Sequence, residues 1–365
     1  MFYRESGDFK TTYAKDTQTF PIKLDRMGYY TILAIAFVVI PTMLVMNVGG
    51  GANYWTNAIL LPFLIWAIAS IGLNILVGYC GQLSLGSGGF MAVGAYASYK
   101  LMTSFPDLSI FIIVLLSGAI TAGVGILFGL PSLRIKGFYL AVATLAAQFF
   151  LVWMFNKVQW FYNYSASGQI SAPTRSVFGF EVTGATASAE AKYLFCLVLL
   201  VGVAWVARNL TRGRIGRSWM AIRDMDIAAE IIGVAPLKTK LSAFGISSFF
   251  IGIAGALFFA VYLGAAEVGE AFGIQKSFLL LFMVIIGGLG SIFGSIIGAA
   301  FMVLMPVLLK NIMVGQLNWA TDIAAHFEFV FVGALIIIFL ILEPHGLAQL
   351  WRLLKEKLRL WPFPH

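Results

Sequence analysis

Long apolar runs broken by short polar connections set the pattern of this chain, and between Met27 and Tyr99 there is no Asp, Glu, Lys or Arg. A helix needs about 20 apolar residues to cross a bilayer. Windows of that kind fall near 29–47, 57–78, 84–104, 109–130 and 137–157, then near 192–208, 241–263, 277–289, 291–309 and 326–342. The expected fold class is all-α: a polytopic membrane bundle of about ten transmembrane helices. Residues 1–26 read as a polar leader, 27–347 as the transmembrane part and 348–365 as a basic tail.

Charge orients the bundle. Eighteen of the 24 basic residues lie in four stretches: the leader, Arg134 with Lys136, Arg208 to Lys240, and the tail that carries Arg352, Lys355, Lys357 and Arg359. The alternate connections 48–56, 105–108, 158–191, 264–276 and 310–325 hold only Lys157, Arg175, Lys192, Lys276 and Lys310 at or near their edges. Basic residues collect on the cytoplasmic side of membrane proteins, so both termini and the 209–240 segment are expected in the cytoplasm. Composition excludes a soluble domain: 60% of residues are hydrophobic and 11% charged, against roughly 25% charged in soluble proteins. The net charge of +8 sits beside apolar spans, which suits anionic lipid and not nucleic acid.

Two glycine-rich loci interrupt the helical pattern. One, Gly78 to Phe90, contains Gly81, Gly86, Gly88 and Gly89; the other, Gly287 to Gly298, contains Gly287, Gly288 and Gly290. Irregular backbone at membrane depth survives only under a cover of protein or water, so both are expected as helix breaks inside the bundle. Their similar place in each half fits a five-plus-five duplication. Gly125-xxx-Gly129 and Gly290-xxx-Gly294-xxx-Gly298 also offer small faces for helix packing. Asn74, Gln82, Ser84, Thr144 and Gln148 are polar within apolar spans; they suit either a solute path or hydrogen bonds between helices.

Several chemistries are missing from the sequence. It contains no GxxxxGK[ST] phosphate loop, and Leu83 to Gly89 follows a hydrophobic helix where a nucleotide loop would follow a strand. His326, His345 and His365 are too dispersed for a metal site. The acid within the last span is Glu328, near its outer end, which argues against a proton relay. With no buried Arg or Lys expected to clamp a carboxylate, selection of the solute is expected to rest mainly on a partner. Cys80 and Cys196 are expected as packing residues.

The most specific stretch runs from Arg212 to Pro236. Met220, Ile227, Ile231 and Val234 recur at helical spacing, Arg217, Arg223, Asp224, Asp226 and Glu230 supply a polar face, and Gly233 with Pro236 can end a helix. A single amphipathic helix over 217–233 is expected there, lying on the membrane or fitting a groove on a partner.

This segment resembles the coupling region of ABC-importer permeases, whose signature is Glu-Ala-Ala, three residues, then Gly: Ala228, Ala229 and Gly233 keep the spacing, and Ile227 replaces the Glu. Gly81 to Gly86 with Gly89 to Tyr96 resembles branched-chain amino-acid permeases of the LivM type. So do Leu133 to Ala146, Gly216 to Asp224, Lys240 to Phe244 and Glu343 to Leu347, all in family order. The resemblance implies a type II importer fold like that of vitamin B12-type permeases, with discontinuous helices. It implies a homologous permease, two cytoplasmic ATPase subunits and a periplasmic solute-binding protein as partners, in a bacterial inner membrane. ATP and Mg would be held by the ATPases, and no cofactor by this chain. Coupling would run through Arg217, Ala221, Arg223, Asp224, Asp226, Ala228, Ala229, Glu230 and Gly233. Branched-chain amino acids are the favoured cargo, with urea or amides and aromatic or aliphatic carboxylates as alternatives. An ion-coupled secondary transporter and a membrane-embedded enzyme are the rival classes; the second would need a clustered catalytic set.

Overall fold

The computed structural model describes residues 11–12, 23–47, 51–132, 138–177, 179–184, 186–342 and 346–360. Most of the leader, Arg134, Lys136, the Glu343-Pro-His345 part of the closing motif and the last five residues of the tail lie outside them, as does the side chain of Glu328. Each of the ten expected windows falls on a helix. Eight helices among the described residues are long and apolar enough to cross a membrane. The chain is a multi-pass membrane protein with an all-α core.

Two compact units are present. In the smaller, which comprises 1–52 and 349–365, α1 (Asp25–Val45) is joined to the C-terminal helix by an ion pair of 2.8 Å between Asp25 and Lys355. The larger, 53–348, is built from α2 (Ala52–Tyr79), α3 (Ser87–Ser104), α4 (Ile110–Ser132), α5 (Phe138–Lys157) and α6 (Ala189–Arg212). Two short helices follow, α7 (Arg214–Asp224) and α8 (Asp226–Ile231). Then come α9 (Pro236–Leu263), the one-turn α10 (Val268–Ala271), α11 (Ile274–Gly287), α12 (Ile292–Gln316) and α13 (Thr321–Leu342). The C-terminal α14 (Leu347–Leu360) begins at its border.

Two of the wide π turns stand just before a proline. Ile35–Val39 and Thr56–Leu60 are π segments that end two residues before Pro41 and Pro62. A proline inside a helix removes one hydrogen bond and pushes its ring against the carbonyl four residues back. A wider turn relieves both and lets the helix continue.

The core sits on α2 and α9. Their apolar windows are 83% and 78% buried, against 11–44% for the other six spanning helices, and α9 packs on α2, α3 and α4. Contact is close because the facing residues are small: a Cβ on Gly94 of α3 would stand 2.2 Å from the Gly252 carbonyl oxygen of α9. Overpacking of this kind costs about 1–3 kcal/mol. Gly94→Ala is expected to lower the thermal midpoint of the detergent-purified protein; an unchanged midpoint would mean that α3 and α9 do not touch there.

Both long helices are followed by a return into the bundle. Each spans 28 residues and ends in a π turn, Ile75–Tyr79 in α2 and Phe258–Leu263 in α9. Each then turns on a left-handed glycine, Gly81 (φ +71) or Gly264 (φ +72), which a side chain would strain. The first return, 81–86, leads into α3. The second, through β4 (Ala265–Ala266) and α10, leads into α11. The starts of α3 and α11 meet, with the Gly88 N–H donating to Ser277 Oγ at 2.8 Å. Because α2 ends and α9 begins at the face that carries α7 and α8, these two helices with their returns run in opposite directions within the larger unit, as inverted repeats do. The opposite face carries the connection 158–188, which contains β1 (Ile170–Ser171), paired with β4, and the hairpin of β2 (Arg175–Val177) and β3 (Phe180–Thr183). Arg175 ties the hairpin to the end of α3 by donating to the Met102 carbonyl at 2.6 Å.

Candidate functional site

The expected single helix over 217–233 is two helices. Met225 adopts an extended backbone (φ −162, ψ 100) between α7 and α8, so the apolar spacing that spans the break does not form one stripe. In α7 the buried face is Gly216, Trp219 and Ile222, and Trp219 Nε1 donates to Ser242 Oγ of α9 at 3.0 Å. In α8 only Ala229 is buried. Met225, Ile227, Ile231 and Ile232 are 66–81% exposed, whereas Met220 and Val234 are half-buried. Two bare isoleucines on one short helix, with a third at its end, form an exposed apolar patch, which suits either a membrane interface or the groove of a partner.

The turn after α8 explains why glycine stands at 233. The Val234 N–H reaches the Ala229 carbonyl and the Gly233 N–H the Glu230 carbonyl, both at 3.0 Å. That is the Schellman pattern, which requires a left-handed residue; Gly233 has φ +90. Asp226, in the first turn of α8, pairs with Lys240 of α9 at 3.6 Å. Arg217, Ala228 and Glu230 are exposed and Ala221 is half-buried.

Arg223 links this segment to the glycine loci. Its guanidinium donates from Nη1 to the Gly78 carbonyl at 2.9 Å and from Nε to Asp224 at 3.0 Å. Its stem packs against Gly81, where a Cβ would lie 2.9 Å from Arg223 Cγ, and a Cβ on Gly290 would lie 3.4 Å from Nη1. One arginine side chain therefore touches the end of α2, the first return and the α11–α12 turn.

Asn74 fastens the same junction from within. Fully buried, it donates to the Ser291 carbonyl at 2.9 Å and to Ser295 Oγ at 2.7 Å, and its Oδ1 accepts from the Gly290 N–H at 2.9 Å. Gly78 is small because Asn74 and Gly290 occupy the space a side chain would need, and Gly287 because the Gly294 carbonyl does. Gly288 (φ +116) faces Gly346, whose Cβ would lie 2.6 Å from the Gly288 nitrogen.

Thr144 and Gln148, one turn apart on α5, hold the first return. Thr144 Oγ1 accepts from the Leu85 N–H at 2.9 Å, and a Cβ on Gly86 would stand 2.7 Å from the Thr144 carbonyl. Gln148 accepts from the Gly89 N–H and from Ser277 Oγ and donates to the Phe272 carbonyl at 2.9 Å. Ser84 Oγ accepts from the Gly86 N–H at 3.4 Å. Gln82 differs: it is 4% exposed, and neither its Oε1 nor its Nε2 has a partner among the described residues.

A family model described as the permease component of the branched-chain amino acid transport system matches residues 55–340. The chain belongs to the branched-chain amino acid permease family. It is 31% identical over 313 residues to the high-affinity branched-chain amino acid transport system permease protein LivM of Salmonella typhimurium, covering 79% of this chain and 69% of that protein. LivM of Escherichia coli is 30% identical with the same coverage. The inner membrane ABC transporter permease protein YjfF of Escherichia coli is 25% identical over 78% of this chain and 81% of its own length. No solved structure matches.

Within this permease, sequence reasoning missed Ser277, which joins Gly88 and Gln148, because an isolated serine at the start of an apolar run carries no signal. Cys80 lies where expected, buried at the end of α2. Burial pushes its thiol up to about 12, against a smaller opposing effect of Lys240. Thiolate is the reactive form, so native Cys80 is expected to resist N-ethylmaleimide at pH 7.5, read by intact-protein mass spectrometry. Rapid adduct formation would show that the first return opens.

Proposed function

We propose that this permease forms half of the translocation path of an ABC importer for branched-chain amino acids, in a bacterial inner membrane with both termini in the cytoplasm. A second, homologous permease completes the path, two cytoplasmic ATPase subunits bind and hydrolyse ATP with Mg, and a periplasmic binding protein delivers the solute. The chain itself holds no cofactor and performs no catalysis. The names of the LivM relatives and the family match support the cargo; the absence of a phosphate loop in the sequence supports a separate motor.

One observation carries the coupling reading: the bare Ile227 and Ile231 of α8, with Ile232 at its end, follow closely on Arg223, which bonds the Gly78 carbonyl, packs on Gly81 and lies beside Gly290. An ATPase groove would bury the isoleucines. Its movement would pass through α7 and Arg223 to the end of α2, the first return and the α11–α12 turn. Asn74 holds the α11–α12 turn, and Thr144 and Gln148 hold the returns, in shape along the path; Ser84 and Gln82 would face it, Gln82 with its amide free for solute or water.

The test is Ile231→Asp with Ala229→Trp as a second variant, in membranes that contain all the partners. Both are expected to leave ATP hydrolysis by the motor running while L-leucine uptake falls at least about ten-fold, a loss of roughly 1.4 kcal/mol of productive contact. Uptake at the normal rate in both variants overturns the coupling role.

A further inference from the structure

Lys276 is the one basic residue in the α10–α11 span, and the sequence alone puts it at the edge of an external connection. The structure moves it. The stretch after α9 does not stay outside; it turns at Gly264 and descends through α10, so that α11 starts within the bundle. Lys276 lies on the first turn of α11, beside Ser277, which binds Gly88 at the start of α3.

Depth follows from helix geometry. From Ser277 to Gly287, at the Arg223 face, is ten residues and so about 15 Å. From Gly88 to Lys100, beside Asn163 at the opposite face, is twelve residues and so about 18 Å. With a hydrocarbon core of about 30 Å, Lys276 stands close to the middle. Its stem, roughly 6 Å long, cannot carry the ammonium to either surface.

The lysine is half-buried and has no ion-pair partner among the described residues. Charge at that depth is not left facing lipid; it faces water or a solute path. The same junction holds a second unsatisfied polar group: Ser87, at the start of α3, is fully buried and its hydroxyl has no partner among the described residues. A cation and a spare hydroxyl at the meeting point of two helix starts, whose backbone dipoles also favour negative charge, match a carboxylate in their chemistry and not a neutral amide.

We propose that Lys276 lines the translocation path at mid-depth and takes the carboxylate of the passing solute. The inference rests on the importer reading above and narrows its cargo to solutes with a free carboxylate, placing part of the selection in the permease itself.

Two measurements test it in membranes that carry the complete importer. Lys276→Cys is expected to react with the membrane-impermeant anionic reagent sulfonatoethyl methanethiosulfonate, since native Cys80 and Cys196 are buried; a thiol at 276 that stays unreactive in assembled, ATP-cycling membranes overturns the proposal. Lys276→Met is expected to cut L-leucine uptake at least ten-fold while motor ATP hydrolysis continues, and Lys276→Arg to restore it to within three-fold of the wild type. Uptake by Lys276→Met within two-fold of the wild type overturns the carboxylate role. Failure of the underlying reading looks different: the wild-type importer would carry no leucine. The Lys276→Met comparison is then run on the solute that the binding protein holds, and a solute without a carboxylate overturns the inference.

Discussion

Arg223→Ala is expected to reduce solute uptake at least about ten-fold in a protein that still folds and inserts. The guanidinium is half-exposed, so its ion pair with Asp224, 2.9 Å long, is screened by water and contributes little to stability. Its bond to the Gly78 carbonyl is different, because that carbonyl belongs to a π turn whose own ladder is already loosened. A hydrogen bond from a charged donor is worth about 1.5–3 kcal/mol, which corresponds to about ten-fold or more in a rate that depends on it. Arg223→Lys keeps the charge but loses the fork that spans Gly78 and Asp224 at once, and an intermediate rate is expected. Uptake and motor hydrolysis measured side by side check this; wild-type uptake by Arg223→Ala would remove the arginine from the path of coupling.

Asn74→Leu is expected to damage the fold itself. Leucine keeps the branching of asparagine but is larger and cannot hydrogen-bond: the Gly290 N–H loses its acceptor, while the Ser291 carbonyl and the Ser295 hydroxyl lose the amide and keep only each other and the Ser295 N–H. A buried polar group without a partner costs about 1–3 kcal/mol, and crowding the larger leucine against Gly78, which already stands close to Asn74, costs about 1–3 kcal/mol more. A drop in the thermal midpoint of at least about 5 °C in detergent is expected, together with a low yield of inserted protein. Asn74→Asp retains the acceptor for Gly290 and loses both donors, and is expected to fall between the two. A midpoint for Asn74→Leu within a degree of the wild type would show that the α11–α12 turn does not depend on this clamp.

The long helices were legible in the sequence because lipid demands apolar stretches of a fixed length, and each of the ten windows meets a helix. The glycine loci were legible as breaks because their residues have no other common use at that density. The ends of the helices were less so. Isoleucines at 227 and 231 keep a helical spacing with Met220 and Val234 across Met225, although the backbone opens there; spacing reports periodicity and cannot report a hinge of one residue. Asn74 and Gln148 were legible as polar residues in apolar surroundings, but whether they bind solute or backbone depends on partners more than 120 positions away in the chain. Lys276 was hidden by the second return, since 264–276 has the composition of a loop and the structure folds it inward.

The central claim is that α8 faces the cytoplasm and is covered by a separate motor subunit. Labelling of Ile231→Cys with a membrane-impermeant maleimide tests it most directly, because the two native cysteines are buried. In inside-out vesicles the new thiol is expected to react quickly once the ATPase subunits are stripped away and to be protected when they are added back. Reaction in right-side-out vesicles alone, or no protection by the ATPases, would contradict the account.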